Sequence, residues 1–278
     1  MRIRATVAVL TGTLALSALV VPAAQAADEP NAPKFAPFAA DMPLDEVVGD
    51  TKITKVTVNG GKDIVLGTTE KKKVTIAVTA TDPSGIIAGS AFLWHGTDVE
   101  ADIDGLIFPD ELMADCKVVN ATTSTCTSTV VVDPKVDLWS NTLAGKWKVS
   151  ASAYGDDGDY VAKDELASDA RMQRNARLTT NASPEPVKKG KTLTVTGALT
   201  RANWETSKYA GYTSQPVKLQ YKKKGATSYS TLKTITSDSK GNLKTTVKAS
   251  ADGYFRYVFA GTSTTPAVTS TGDFVDVN

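Results

Sequence analysis

The run Val74-Thr75-Ile76-Ala77-Val78-Thr79 sets a β-branched apolar side chain at every second position. Only an extended strand turns all three of those side chains to one face, because a helix would scatter them round its circumference. The pattern returns in short pieces. Ile53, Val56 and Val58 open one, residues 64–66 and 86–94 form two more, and Trp147, Val149, Ala151 and Ala153 share a face in another. Turn chemistry separates them at Asn59-Gly60-Gly61, at Asp82-Pro83-Ser84-Gly85 and at Gly155-Asp156-Asp157-Gly158-Asp159. About seven short strands spaced in this way fit a β-sandwich. Residues 161–173 carry no clean period and read as a stretch with room for a helical turn.

Beyond Asn175 the pattern repeats. Strands are expected at 177–181 and 191–199 around Ser183-Pro184-Glu185-Pro186, and then at 217–221, 229–235, 243–247, 254–259 and 274–277. Turns at Lys224-Gly225, Lys240-Gly241-Asn242 and Asp252-Gly253 punctuate them. The expected class is all-β: two immunoglobulin-like β-sandwich domains in tandem, over 51–175 and 176–278. Asp252-Gly253-Tyr254 reads either as a tyrosine corner or as the site of a plain buried Tyr.

The first 26 residues read as a signal peptide. Arg2 and Arg4 precede an apolar run over residues 5–21, and Ala24-Gln25-Ala26 is a small-x-small cleavage site. Residues 27–50 hold four prolines and no period, a flexible lead-in. A secreted, extracellular protein with no membrane span after processing is expected. In that compartment Cys116 and Cys126, the two cysteines of the chain, are expected to form a disulfide closing a hairpin.

A near-neutral total hides opposed halves. Residues 27–175 carry 14 Lys and Arg against 24 Asp and Glu, a balance of −10, whereas residues 176–278 carry 15 against 6, a balance of +9. Either the halves meet different partners or they attract one another. The acidic excess peaks over residues 98–115, where seven of eighteen residues are Asp or Glu. There, Glu100, Asp102, Asp104, the Leu106 carbonyl and Glu111 match positions 1, 3, 5, 7 and 12 of a calcium loop, with Gly105 at the sixth. Ca²⁺ is the cofactor this spacing predicts, in a structural role. Glu at the first position and a strand-like approach depart from the pattern, and a solvated acidic loop is the competing reading. Asp156, Asp157 and Asp159 form a second oxygen cluster, read as a turn with calcium as a lesser alternative.

His95, the single histidine, stands beside Trp94 with no G-x-S-x-G nucleophile motif in the chain. No phosphate loop, zinc spacing or dinucleotide fingerprint is present, so the chain is not expected to be an enzyme. Trp204, Tyr209 and Tyr212, in the polar stretch RANWETSKYAGYT, read first as filling a sandwich core or covering an open edge, with contact to a sugar ring or a protein as the alternative that makes them candidate ligand contacts. Lys188, Lys189, Lys191 and Lys222, Lys223 and Lys224 make the second half basic.

The segments SPEPVKKGKTLTVTGALTRANWETSKYAGYTSQPVKLQYKKKG and GNLKTTVKASADGYFRYVFAG, with WHGT and GKWKVSASAYGDDGD in the first half, carry a resemblance over most of the chain. In them the chain resembles secreted two-domain immunoglobulin-like proteins of Gram-positive filamentous bacteria, some labelled calcium-binding. The resemblance implies architecture and little mechanism. The expected function is a secreted, non-enzymatic binding or structural protein at or near the cell wall. Its expected partner is a cell-wall polymer or another secreted protein, not nucleic acid. The alternative is a secreted hydrolase or enzyme inhibitor.

Overall fold

Residues 45–168 and 170–278 are described by the computed structural model, and among them the regular structure is strand, joined by turns and two short 3-10 segments. The signal peptide and the lead-in up to residue 44 lie outside the described residues. The first half contains β1 (Glu46–Val48), β2 (Lys52–Val58), β3 (Ile64–Leu66), β4 (Lys72–Thr81), β5 (Ile86–Asp98) and β6 (Asp102–Ile107). It continues with β7 (Asp115–Asn120), β8 (Thr123–Val132), β9 (Gly145–Lys146), β10 (Lys148–Gly155), β11 (Tyr160–Leu166) and β12 (Arg171–Arg174). One sheet runs β1-β11-β10-β5-β6, a second β2-β4-β8-β7, and a small third sheet pairs β12 with β3 in parallel and with β9 antiparallel.

The alternation at Val74, Ile76 and Val78 is realised in β4, where all three are buried. They share one core with Ala91 and Leu93 of β5 and with Val149 and Ala151 of β10. The β4–β8 register runs without a break from Lys72↔Val132 to Thr81↔Thr123. Cys116 and Cys126 are direct cross-strand partners of β7 and β8 and are disulfide-bonded.

Two expectations are corrected here. Residues 161–173 hold strands β11 and β12 instead of a helical turn. Strand β11 lies between β1 and β10, and Val161 and Ala162 are both buried, so neither face shows the alternation that marks a half-exposed strand. The lead-in also ends earlier than residue 50: Glu46–Val48 is an edge strand on β11, with Val47 opposite Val161.

The second half comprises β13 (Ala176–Leu178), β14 (Asn181–Ser183), β15 (Thr192–Asn203), β16 (Lys208–Gly211) and β17 (Pro216–Lys223). It ends with β18 (Ser230–Thr236), β19 (Asn242–Lys248), β20 (Gly253–Phe259), β21 (Val268–Thr269) and β22 (Asp273–Val275). The long β15 pairs with β13, β14, β16 and β19, and opposite it β17 and β20 are flanked by β18, β21 and β22. Leu193, Val195, Val217, Leu219, Phe255, Tyr257 and Phe259 fill the core between the sheets. Burial pushes the Tyr257 phenol up, and its hydroxyl donates to the Val195 carbonyl at 3.0 Å, bridging the two sheets.

The residue that closes the corner before β20 is Tyr221, not Tyr254. Its hydroxyl donates to the Ala251 and Asp252 carbonyls at 2.8 and 3.1 Å. Tyr254 alternates to the outer face, where it meets Phe274.

Among the described residues no strand pair links residues before Asn175 to residues after it. The halves meet through a backbone bond, the Arg174 amide donating to the Thr264 carbonyl at 2.9 Å, and through side chains. Ala202 and Trp204, at and just past the end of β15, are buried in the core of the first half. Arg174 is buried and donates from Nε to the Ala202 carbonyl at 2.6 Å, and desolvation lowers its pKa to about 10.

Candidate functional site

The predicted calcium loop does not form. Asp102, Asp104 and Leu106 lie on β6, a strand paired with β5 through an irregular register, and Glu100 is in the turn before it. Glu111 sits beyond the strand in the bend that leads to β7. A strand rises about 3.3 Å per residue, so Asp102, Asp104 and Leu106 are spread along β6 where a loop would gather them about a point. Each carboxylate on β6 has a local partner: Asp102 accepts from the Thr97 hydroxyl, and Asp104 pairs with His95 Nδ1 at 2.5 Å. Gly105 is explained by packing. A Cβ there would approach the Trp147 ring to 2.7 Å, so it is a glycine because an indole lies on the strand, not because a metal loop turns there.

The described residues hold one place where three such groups converge, and it is elsewhere. Asp50, Asp82 and Asp159 each bring a carboxylate oxygen within 4.8 Å of the other two. Three turns at one end of the first sandwich deliver them. Asp82 opens the turn after β4, Asp159 closes the acidic turn between β10 and β11, and Asp50 follows β1. The turns are tied by Asp156 N donating to Gly85 O at 3.0 Å and Asp50 N donating to Asp159 Oδ2 at 2.9 Å.

Asp82 is 1% exposed. Its Oδ2 accepts from the Thr51 hydroxyl, and its Oδ1 accepts from both the amide and the hydroxyl of Ser84. Those hydrogen bonds, Ser84 foremost, hold its pKa below the ordinary carboxylate value. A Cβ on Gly155 would meet Asp82 Oδ2 at 2.6 Å and Asp157 Oδ1 at 3.0 Å, so glycine permits the backbone of the acidic turn to close on Asp82. Among the described residues none of these three carboxylates has an ion-pair partner. Their oxygens suit a hard cation such as Ca²⁺. Sequence spacing did not assemble the site because its members are 32 and 77 residues apart; the signals were the turn at Asp82, read as a turn, and the acidic turn with Asp159, read as a turn with calcium as a lesser alternative.

The candidate aromatics are occupied within the protein. Trp204 is 3% exposed and donates from Nε1 to Gly67 O at 2.9 Å. Tyr209 lies under the Arg177 guanidinium at 3.5 Å and accepts from Asn175 Nδ2. Tyr212 is buried against Phe259, with Arg201 over its ring at 3.8 Å. Tyr209 and Arg177 also line a polar groove of about 380 Å³ with residues 65–72. His95 packs on Trp147 at 5.5 Å beside its bond to Asp104.

The charge asymmetry survives folding. Five of the ion pairs among the described residues lie in the first half, the sixth is Lys224–Asp252 in the second, and none crosses between the halves.

No family model and no curated protein matches the chain. Among solved structures, the chain is similar to a marsupial T cell receptor at 13% identity over 81% of this chain and 72% of that one, with a TM-score of 0.41. It is also similar to fibronectin(III)-like modules of CbhA from Clostridium thermocellum, at 13% identity over 80% of this chain and 93% of theirs, TM-score 0.32. A third likeness is to dimeric latent PorU from Porphyromonas gingivalis, at 10% identity over 82% of this chain, TM-score 0.29; the chain spans 20% of PorU. Among the described residues no helix is long and apolar enough to cross a membrane.

Proposed function

We propose that the chain is a secreted, non-enzymatic binding and structural protein of the cell wall, whose basic half engages an anionic partner. The observation that carries this reading is the lack of ion pairing between the halves. Of the 15 Lys and Arg in residues 176–278, Lys224 alone has an ion-pair partner among the described residues. Mutual attraction of the halves would use those charges up, and among the described residues no ion pair does so. The test is retention of the intact chain on purified cell walls across a salt series. Retention is expected at low salt and release as the Debye length falls from about 10 Å at 0.1 M to about 3 Å at 1 M. Retention indifferent to salt, or no retention, contradicts the reading. Release of soluble wall fragments that stops on His95→Ala would favour a hydrolase instead.

In the acidic half we propose a structural Ca²⁺ held by Asp50, Asp82 and Asp159. Three carboxylates that converge with no ion-pair partner among the described residues repel one another unless a cation offsets them, and that convergence supports the assignment. The cation would clamp the turns after β1, β4 and β10 and stiffen one end of the sandwich. Its test is the final prediction of the Discussion.

A further inference from the structure

The outer face of the sheet built on β17 and β20 carries an ordered set of cations. Inward positions Val217, Leu219, Phe255, Tyr257 and Phe259 are buried, so Lys218, Gln220 and Lys222 of β17 and Tyr254, Arg256 and Val258 of β20 point outward. The register sets Gln220 beside Arg256 and Lys222 beside Tyr254, and Tyr254 beside Phe274 of β22. On the other side Thr234 flanks Lys218 and Thr231 flanks Gln220. None of these outward positions is an Asp or Glu.

Two of the cations, Arg256 and Lys222, lie over aromatic rings. The Arg256 guanidinium sits 3.7 Å from the centre of Tyr229, and its Nε donates to Gln220 Oε1 at 2.9 Å. Lys222 Nζ lies 5.2 Å from Tyr229 and 5.0 Å from Tyr254. Cation–π contact fixes the long side chains without cancelling their charge. Ordering cost is thereby met before a ligand arrives. The Arg256 guanidinium takes one face of Tyr229, and recognition is assigned to the charges and to the Gln220 and Thr hydrogen-bonding groups. Lys218 and Lys222 are four residues apart on one strand, roughly 13 Å, which calls for an extended ligand with repeated negative charge.

We infer that this face binds an anionic polysaccharide chain, lying across Lys218, Lys222 and Arg256. The inference rests on the reading that the basic half is the binding half, and names its surface and ligand chemistry. Lys244 and Lys248 supply the control, because they are exposed on β19 in the opposite sheet.

The experiment measures binding of the intact chain to polygalacturonate, with neutral dextran and inorganic polyphosphate as comparison ligands, for wild type, Lys222→Gln/Arg256→Gln and Lys244→Gln/Lys248→Gln. Expected are binding to polygalacturonate over both comparison ligands, about tenfold weaker binding for the first pair, and little change for the second. Tyr229→Leu should weaken binding by freeing Arg256 while Tyr229→Phe preserves it, and thermal unfolding of each variant separates this from misfolding. Equal weakening by both charge pairs, or an unaltered Tyr229→Leu, overturns this face while leaving a diffuse basic half intact. Polyphosphate binding as strong as polygalacturonate binding overturns the polysaccharide assignment. If the wild type retains on walls but ignores polygalacturonate, this inference alone fails; if it retains on neither, the proposed function fails too.

Discussion

Trp204 Nε1 donates to the carbonyl of Gly67 at 2.9 Å, and the two residues are 137 positions apart in the chain. The second half thereby places an indole in the core of the first. Around it Asn141 Oδ1 accepts from the Trp204 amide at 3.0 Å, and Glu205 Oε1 accepts from the Asn141 amide at 2.9 Å. The junction is thus a packed and hydrogen-bonded contact, which makes it a determinant of stability.

Trp204→Ala should destabilise the protein by about 3–5 kcal/mol, the usual cost of emptying a buried aromatic site. Trp204→Phe keeps a ring but loses the donor and should cost about 1–2 kcal/mol, because Gly67 O then lacks its partner. Urea unfolding followed by circular dichroism reads both. A Trp204→Ala midpoint equal to wild type would show that the halves do not depend on this contact.

The Cys116–Cys126 bond joins residues ten apart in sequence on neighbouring strands. Closing a loop of that size removes unfolded-state entropy worth about 3 kcal/mol in the chain-entropy model. Cys116→Ala/Cys126→Ala should therefore unfold at lower denaturant, with the loss near that figure. An unchanged midpoint would mean that the β7–β8 hairpin is held by its strand pairing alone.

Acid sensitivity follows from Asp63 and Arg171. Arg171 donates from Nε, from the terminal guanidinium nitrogen and from its backbone amide to the Asp63 carboxylate, at 3.0, 2.7 and 3.1 Å. The Arg171 side chain holds Asp63 below its usual value of 3.8. A carboxylate with a depressed folded pKa binds fewer protons folded than unfolded near that pH. Its stabilisation is present above the unfolded value and disappears as pH falls through the folded one. Asp63→Asn should lower stability at pH 7 and flatten the decline of stability below about pH 4. Parallel acid titrations of unfolding midpoint test this, and superimposable acid limbs would remove Asp63 from the account.

The legible parts of the fold are those where one face meets water. Val74, Ile76 and Val78 announced β4 because Thr75 between them is exposed. Strand β11 hid because Val161 and Ala162, pointing to opposite faces, are both buried. The acidic spacing from Glu100 to Glu111 matched a metal loop in sequence, yet Gly105 answers to Trp147, forty-two residues on, which local spacing does not encode. Conversely, Asp50, Asp82 and Asp159 acquire their meaning only when three distant turns are folded together. Trp204 is buried, as the preference of aromatics for the core suggested, although its neighbours Glu205, Thr206 and Ser207 are polar and exposed.

Asp50 offers the cleanest test of the calcium assignment, because it is exposed while Asp82 is buried in hydrogen bonds. Replacing Asp82 would disturb the fold with or without metal. Asp50→Asn removes one charge and little packing. With a dissociation constant of about 10⁻⁴ M, typical of the tighter extracellular sites, about 1 mM Ca²⁺ would stabilise the wild type by about 1.4 kcal/mol. For a chain of this size that raises the melting temperature by about 4 °C. Asp50→Asn should match or slightly exceed the wild type in chelator, since like charges are relieved, and should lose most of the calcium-dependent rise. Glu111→Gln, at the site that sequence spacing suggested, should keep the full rise because Glu111 lies outside the cluster. A wild type whose melting is indifferent to calcium and chelator would sink the assignment outright. A rise abolished by Glu111→Gln but not by Asp50→Asn would return the metal to the residues around β6.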